Sequence, residues 1–306
     1  MRALAGLIVA GPLQAVLVIA LCTVLSFLAP PLTSILSYGG AAALALYSLY
    51  KGARSGALVL LGAALVTGLL TGLLMQHGMA VVVASLLLWV PVWLVAVVLR
   101  DTRSPAMAML VSSGLAMAGV LLVFMVFGDP GQWWLERLQS LIDSVAVQQQ
   151  MDIAPLSEFA AQVAPFMTGA MAAGLSFAAL TCLFLGRWWQ SLLVKPGALR
   201  NEFYALRLNR LLSLLGLAIV ALAALDFGIV SVLALQWALV VAVLFLFVGL
   251  AVVHATLANL KAARGWLIAV YVLMSLLPQA LLLVAAAGML DPWLDLRRRT
   301  VKAESN

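Results

Sequence analysis

The residues able to do chemistry are few and stand apart. His77 and His254 are the two histidines of the chain. They lie far from one another and have no carboxylate nearby, so neither has the spacing of a metal ligand. Cys22 and Cys182 both fall inside apolar runs. Two such thiols make neither a disulfide framework nor a zinc site, and they read as packing residues. The chain holds no Gly-Lys-Ser/Thr phosphate loop, no Gly-x-Gly-x-x-Gly, no His-Glu-x-x-His and no Gly-x-Ser-x-Gly elbow. The expectation is a protein that is not an enzyme, with no catalytic residue, no cofactor and no metal.

Charge inside a membrane marks function by default. The long apolar runs of this chain carry no Asp, Glu, Lys or Arg at their centres. Asp226 comes nearest, in an Asp-Phe-Gly turn expected to reach the interface. A proton- or sodium-coupled pump needs buried carboxylates, so that class loses weight. The candidate intramembrane polar contacts are Gln236, Gln279, Asp226 and His254. A glutamine in lipid seeks a partner on another helix, worth about 0.6–2 kcal/mol. Gln236 and Gln279 become pocket residues if they face one cavity; otherwise they are packing contacts. Pro278 removes a backbone hydrogen bond beside Gln279 and kinks the last apolar run.

Charged and aromatic side chains gather most densely in GRWWQSLLVKPGALRNEFYALRLNR, from Gly186 to Arg210. Arg187, Trp188 and Trp189 end an apolar run at the interface. Pro196 and Gly197, after Lys195, form a turn. Beyond it Leu199, Phe203, Leu206 and Arg210 share one helical face, with Arg200, Asn201, Tyr204 and Arg207 off it. That spacing predicts a short helix lying flat under the inner leaflet. Its bases meet either anionic headgroups, at about 1 kcal/mol each, or a partner protein. Arg187, Trp188, Trp189, Pro196, Gly197, Arg200, Phe203 and Arg207 form the candidate partner motif.

The elements that hold these residues are membrane helices. The chain of 306 residues is 65% hydrophobic and 9% charged, against about 25% charged in a soluble domain. Apolar runs lie near 5–28, 32–50, 56–75, 79–99, 105–127, 164–186, 208–225, 229–253 and 265–289. Several exceed the roughly 18 residues that mark a span, and in lipid such runs are helices. The short alternating segments of a barrel are missing. The fold expected is all-α: a polytopic transmembrane helical bundle of eight or nine spans. Residues 1–290 form one membrane domain, with an outer amphipathic loop at 129–163 and a cytoplasmic interfacial segment at 187–210. Residues 291–306 form a basic tail.

The run at 5–28 is too long for a signal peptide and reads as a retained first span. Gln76-His77-Gly78 reads as a tight turn. The net charge of +6 comes from Lys and Arg in short loops, as retention of positive charge in the cytoplasm requires, and not from a nucleic-acid site. With the N-terminus cytoplasmic and nine spans, twelve of the 17 Lys and Arg fall inside. If 208–225 does not cross, Lys261 and Arg264 move out while Arg297 and the three bases after it move in, and fourteen fall inside.

The segment from Asp129 to Val163 carries five acids and one base, which marks the outer face. Trp134, Leu135, Leu138, Leu141, Ile142 and Val145 recur there at helical spacing. Small residues four apart, Ala64, Gly68 and Gly72 and then Ala170, Gly174 and Ala178, predict faces where helix backbones approach closely. They serve either the bundle itself or a second membrane protein. Six tryptophans, Trp188, Trp189, Trp266 and Trp293 among them, fall at expected interfaces.

Three pieces of sequence carry a family resemblance. Gly186-Arg187-Trp188-Trp189-Gln190-Ser191 leads through Pro196-Gly197 and Glu202-Phe203 to Leu206-Arg207-Leu208. Gly249-Leu250-Ala251-Val252-Val253-His254 and Gly288-Met-Leu-Asp291-Pro-Trp293-Leu-Asp295-Leu-Arg297 follow in order. In these the chain resembles the proteobacterial branch of the YybS-like predicted membrane proteins. It is more distantly similar to the substrate-binding components of energy-coupling-factor transporters and to the rod-shape protein MreD. The resemblance implies a multi-pass protein of the bacterial cytoplasmic (inner) membrane and no particular reaction. Two functions follow as expectations. One is a scaffold or accessory subunit whose partners are the bilayer and another membrane protein. The other is a solute-binding transporter component with an outward cavity and no ATPase of its own, its small-molecule ligand unknown.

Overall fold

The computed structural model describes residues 1–28, 30–75, 78–149 and 154–297. Gln76, His77, Asp152, Arg298, Arg299 and Lys302 lie outside them. All regular elements among the described residues are helices. The run expected as one first span is two: α1 (Arg2–Ala10) and α2 (Pro12–Leu28). Gly11 between them is extended, because the ring of Pro12 disfavours a helical residue before it. α3 (Pro30–Lys51), α4 (Ala53–Met75), α5 (Gly78–Thr102) and α6 (Pro105–Phe127) follow as antiparallel neighbours. Ser104 starts α6 by accepting the Met107 amide at 3.2 Å, with Pro105 next to it.

At the far end the chain forms α7 (Pro130–Gln149), α8 (Ala154–Val163) and a single 3-10 turn (Ala164–Phe166). α9 (Met167–Val194) then returns through the bundle. α10 (Ala198–Tyr204) and α11 (Arg210–Ala223) lead to the long α12 (Ile229–Asn259). α13 (Arg264–Leu276) and α14 (Pro278–Leu294) complete the order. Leu277, extended in front of Pro278, bends these last two helices by 120°. That is far more than the kink expected at Pro278, and α14 comes back to the end from which α13 set out.

Among the described residues, five helical stretches are long and apolar enough to cross a membrane: Ala53–Leu74, α5, α6, Ala154–Val194 and α12. The bent α13–α14 pair makes a sixth if it counts as one. Five or six thus stand where eight or nine spans were expected. α11 has 14 residues, about 21 Å, against a hydrocarbon core of about 30 Å. α3 is the centre of the packing. From Ala41 to Leu49 every residue is at most 5% exposed, and α2, α4, α5 and α9 surround it.

Close approaches set the packing of the other half. Gly249 on α12 faces Gly288 on α14, and a methyl at Gly249 would sit 1.8 Å from the Val284 carbonyl oxygen. The α4–α5 hairpin closes similarly: Gly78 lies on Gly68 and Gly72. The Ala170, Gly174 and Ala178 face is divided, with Ala178 buried. Ala170 and Gly174 are exposed, nothing lies within 4 Å of a methyl placed at Gly174, and the backbone contacts of α9 fall on Gly169 and Gly186 instead. Spacing alone finds small residues but not which way they turn in a helix that is apolar all round.

Candidate functional site

One end of the bundle is basic. Arg100 donates to the Leu49 carbonyl at 2.7 Å and Gln190 donates to the same oxygen at 3.2 Å. These bonds bring the loops after α3 and α5 against α9. Lys51, Arg54, Arg100, Arg103, Arg187, Lys195, Arg200, Arg207, Arg210, Lys261, Arg264 and Arg297 share this end with four acids, Asp101, Glu202, Asp291 and Asp295. The opposite end carries Asp129, Glu136, Asp143, Glu158 and Asp226 with one base, Arg137, among the described residues.

The 187–210 segment is fixed to the basic end by three ties. Arg187 donates to Glu202 through Nε at 2.9 Å and again through Nη2, and to Gln190 at 2.5 Å. Arg207 pairs with Asp295 at 2.7 Å. Arg297, 5% exposed, donates to the carbonyls of Tyr204 at 2.5 Å and Leu206 at 2.6 Å. It also lies 3.3 Å from the buried Asp291 carboxylate. Burial pushes the Arg297 guanidinium below its ordinary range, and Asp291 opposes that shift. Two of the three pieces that carry the resemblance meet in these ties. The third, through Gly249 and His254, packs beside them.

α10 is shorter than the predicted stripe. It stops at Tyr204, and the stripe residues Leu206 and Arg210 fall outside it. Arg297 takes carbonyls that a further turn would have used, and Leu206 and Leu208 enter the core from non-helical backbone at 3% and 6% exposure. The turn before α10 is as read: Gly197 has φ +85°, a left-handed conformation that glycine adopts without strain. Trp188 is exposed, whereas Trp189 is buried against the core. Phe203 packs edge-on to Phe184 and to the His254 ring.

The candidate intramembrane polar residues do not converge. Gln236 is 1% exposed; it accepts from the Gly169 amide at 2.6 Å and donates to Pro165 at 2.5 Å. Gln279 is exposed at the first turn of α14, and Asp226 is exposed in the turn after α11. His254 is bonded to the Tyr271 hydroxyl at 3.0 Å, which joins α12 to α13. Among the described residues no group of three or more His, Cys, Asp and Glu gathers as a metal would need.

Three recesses open here. A polar one of about 400 Å³ lies among Leu49, Arg100, Arg103, Arg187, Gln190 and Glu202. A second, about 260 Å³, lies between Trp188, Leu192, Gly197, Phe203 and His254. The largest, about 960 Å³, is a groove between α12 and α13. Glu202, Asp291, Asp295, Arg297 and Tyr271 were not among the expected site residues. Asp291 and Asp295, one helical turn apart and close to Arg297, were the available signal.

Long apolar helices bundled between a basic and an acidic end define a multi-pass α-helical membrane protein. Residues 136–292, half of the chain, match the model of a family described as "Predicted membrane protein (DUF2232)", and the chain belongs to that family. The match runs from Glu136 in α7 to Pro292 in α14, and so includes the Arg187–Glu202 tie but neither Asp295 nor Arg297. No curated protein and no solved structure matches the chain.

Proposed function

We propose that this protein is a non-enzymatic scaffold or accessory subunit of a membrane assembly, and that it engages its partner through the basic end. The observation that carries this reading is the fixing of α10. Arg187–Glu202, Arg207–Asp295 and the Arg297 bonds hold a seven-residue helix in one pose. A segment that only skims lipid headgroups has no need of a defined shape, whereas a docking surface does. The excess of Lys and Arg favours a cytoplasmic position for this end. Arg207 and Asp295 meet there, which favours an even number of crossings between them. A topology of eight crossings plus a re-entrant α13–α14 hairpin is part of the proposal. So are the N-terminus in the cytoplasm, the inner-membrane location and the narrower kinship with YybS-like proteins.

The alternative is a solute-binding transporter component. Such a site needs roughly 300–1,000 Å³. The recess beneath α7, lined by Phe124, Gly131, Leu135, Ala164, Pro165 and Val232, holds about 250 Å³, which weakens that alternative. The test places a photo-crosslinking residue at Asn201, exposed on α10, and a control at Leu282, exposed on α14. A discrete protein adduct from Asn201 and none from Leu282 is expected. Adducts to lipid alone at both positions would reject the docking role.

A further inference from the structure

We propose that the lateral groove between α12 and α13 binds one anionic phospholipid, with its phosphate at the end of the bundle and its acyl chains along α13. Arg200, Lys261 and Arg264 line the mouth, and no Asp or Glu is among the described residues that line it. Farther along α13 the lining turns apolar, through Leu267, Val272 and Leu276. Charge therefore sits where a headgroup lies and apolar surface where tails lie. From Arg264 to Leu276 the helix runs 12 residues, about 18 Å, close to the 15 Å of one leaflet's hydrocarbon.

The groove is held open by the bend between α13 and α14 and closed off by one side-chain bond. The bend at Leu277 holds α13 away from α12, and no residue of α13 is buried. The His254–Tyr271 bond then ties the two helices together at 3.0 Å. Tyr271 is seven residues beyond Arg264, about 10 Å below the mouth. It offers a polar step near the depth of the ester groups. Arg200 is held over the Tyr204 ring at 5.2 Å, which fixes one cation at the mouth.

Each base near an anionic surface contributes about fivefold in affinity, so three give roughly a hundredfold.

The experiment uses the purified full-length protein in mixed micelles with equimolar phosphatidylglycerol and phosphatidylcholine of identical acyl chains. Retained lipid is counted by native mass spectrometry. One phosphatidylglycerol is expected to persist, preferred at least about tenfold. The Arg200→Gln/Lys261→Gln/Arg264→Gln variant should lose that preference. Ser275→Trp, which fills the tail region and keeps every cation, should lose the bound lipid. Equal preference in the triple variant, or retention in Ser275→Trp, overturns the proposal. So does a wild type that does not discriminate, or displacement of the lipid by an equal concentration of free glycerol phosphate. The Asn201 crosslink is read separately, so either proposal can fail while the other stands.

Discussion

Replacing Arg297 by Met should release the 198–209 segment from the bundle. Arg297 and Asp291 are 5% and 2% exposed. The substitution strands the Asp291 carboxylate and the Tyr204 and Leu206 carbonyls together. Removing one partner of a buried ion pair costs about 3–5 kcal/mol. Arg207, whose Nε is already 4.0 Å from Asp291, can move in and recover part, so the lower end, about 3 kcal/mol, is expected. Adding Asp291→Asn removes the stranded charge and should restore about 1–2 kcal/mol, a coupling typical of residues in one network. The assay is denaturant titration in mild detergent, paired with trypsin cleavage at Arg200 and Arg207. Cleavage that tracks the open population should rise roughly a hundredfold. A single variant within about 1 kcal/mol of wild type, with unchanged cleavage, would show that the tie is not closing this end. A double variant no better than the single would refute the stranded-charge explanation.

Two further substitutions test the backbone geometry. In Gly249→Ala the new methyl starts 1.8 Å from the Val284 oxygen, and α14 must withdraw by the difference from 3.0 Å, about 1.2 Å. Because backbone meets backbone there, the loss should reach the upper end of about 1–3 kcal/mol, seen as a lowered melting temperature; wild-type melting would contradict the close crossing. At Gly197, with φ +85°, alanine should cost about 1–2 kcal/mol and asparagine less. Trypsin cleavage at Arg200 is the readout, and alanine matching or outperforming asparagine would contradict the left-handed turn.

Much of the architecture was legible because lipid imposes simple rules. Apolar runs became helices, Pro196-Gly197 became a turn, and the bases of the short loops gathered at one end while Asp129, Glu136, Asp143 and Glu158 gathered at the other. The losses have a common cause. In helices that are apolar on every face, periodicity no longer separates core from surface. Spacing therefore does not show that Trp189 and Ala178 turn inward while Ala170 and Gly174 turn outward. The 120° bend needed more than Pro278: a proline permits a kink, but the surrounding contacts set its angle. The site ties were hidden for another reason. Arg207 and Asp295 are 88 residues apart, and no local spacing joins them. Arg297 could be read as a basic tail residue, yet its carbonyl partners decide where α10 ends.

The Arg297 tie also imposes an order of events during synthesis. Arg297 is made 93 residues after Tyr204, whose carbonyl it captures. At about 5–20 residues per second, that interval lasts roughly 5–20 s. During it α10, α11 and α12 have emerged, but nothing yet clasps the 204–206 backbone. The nascent basic end therefore passes through an open form that the finished protein no longer shows. A factor that recognises the closed form must wait for α14, and one that guards the open form has a window of seconds in which to act.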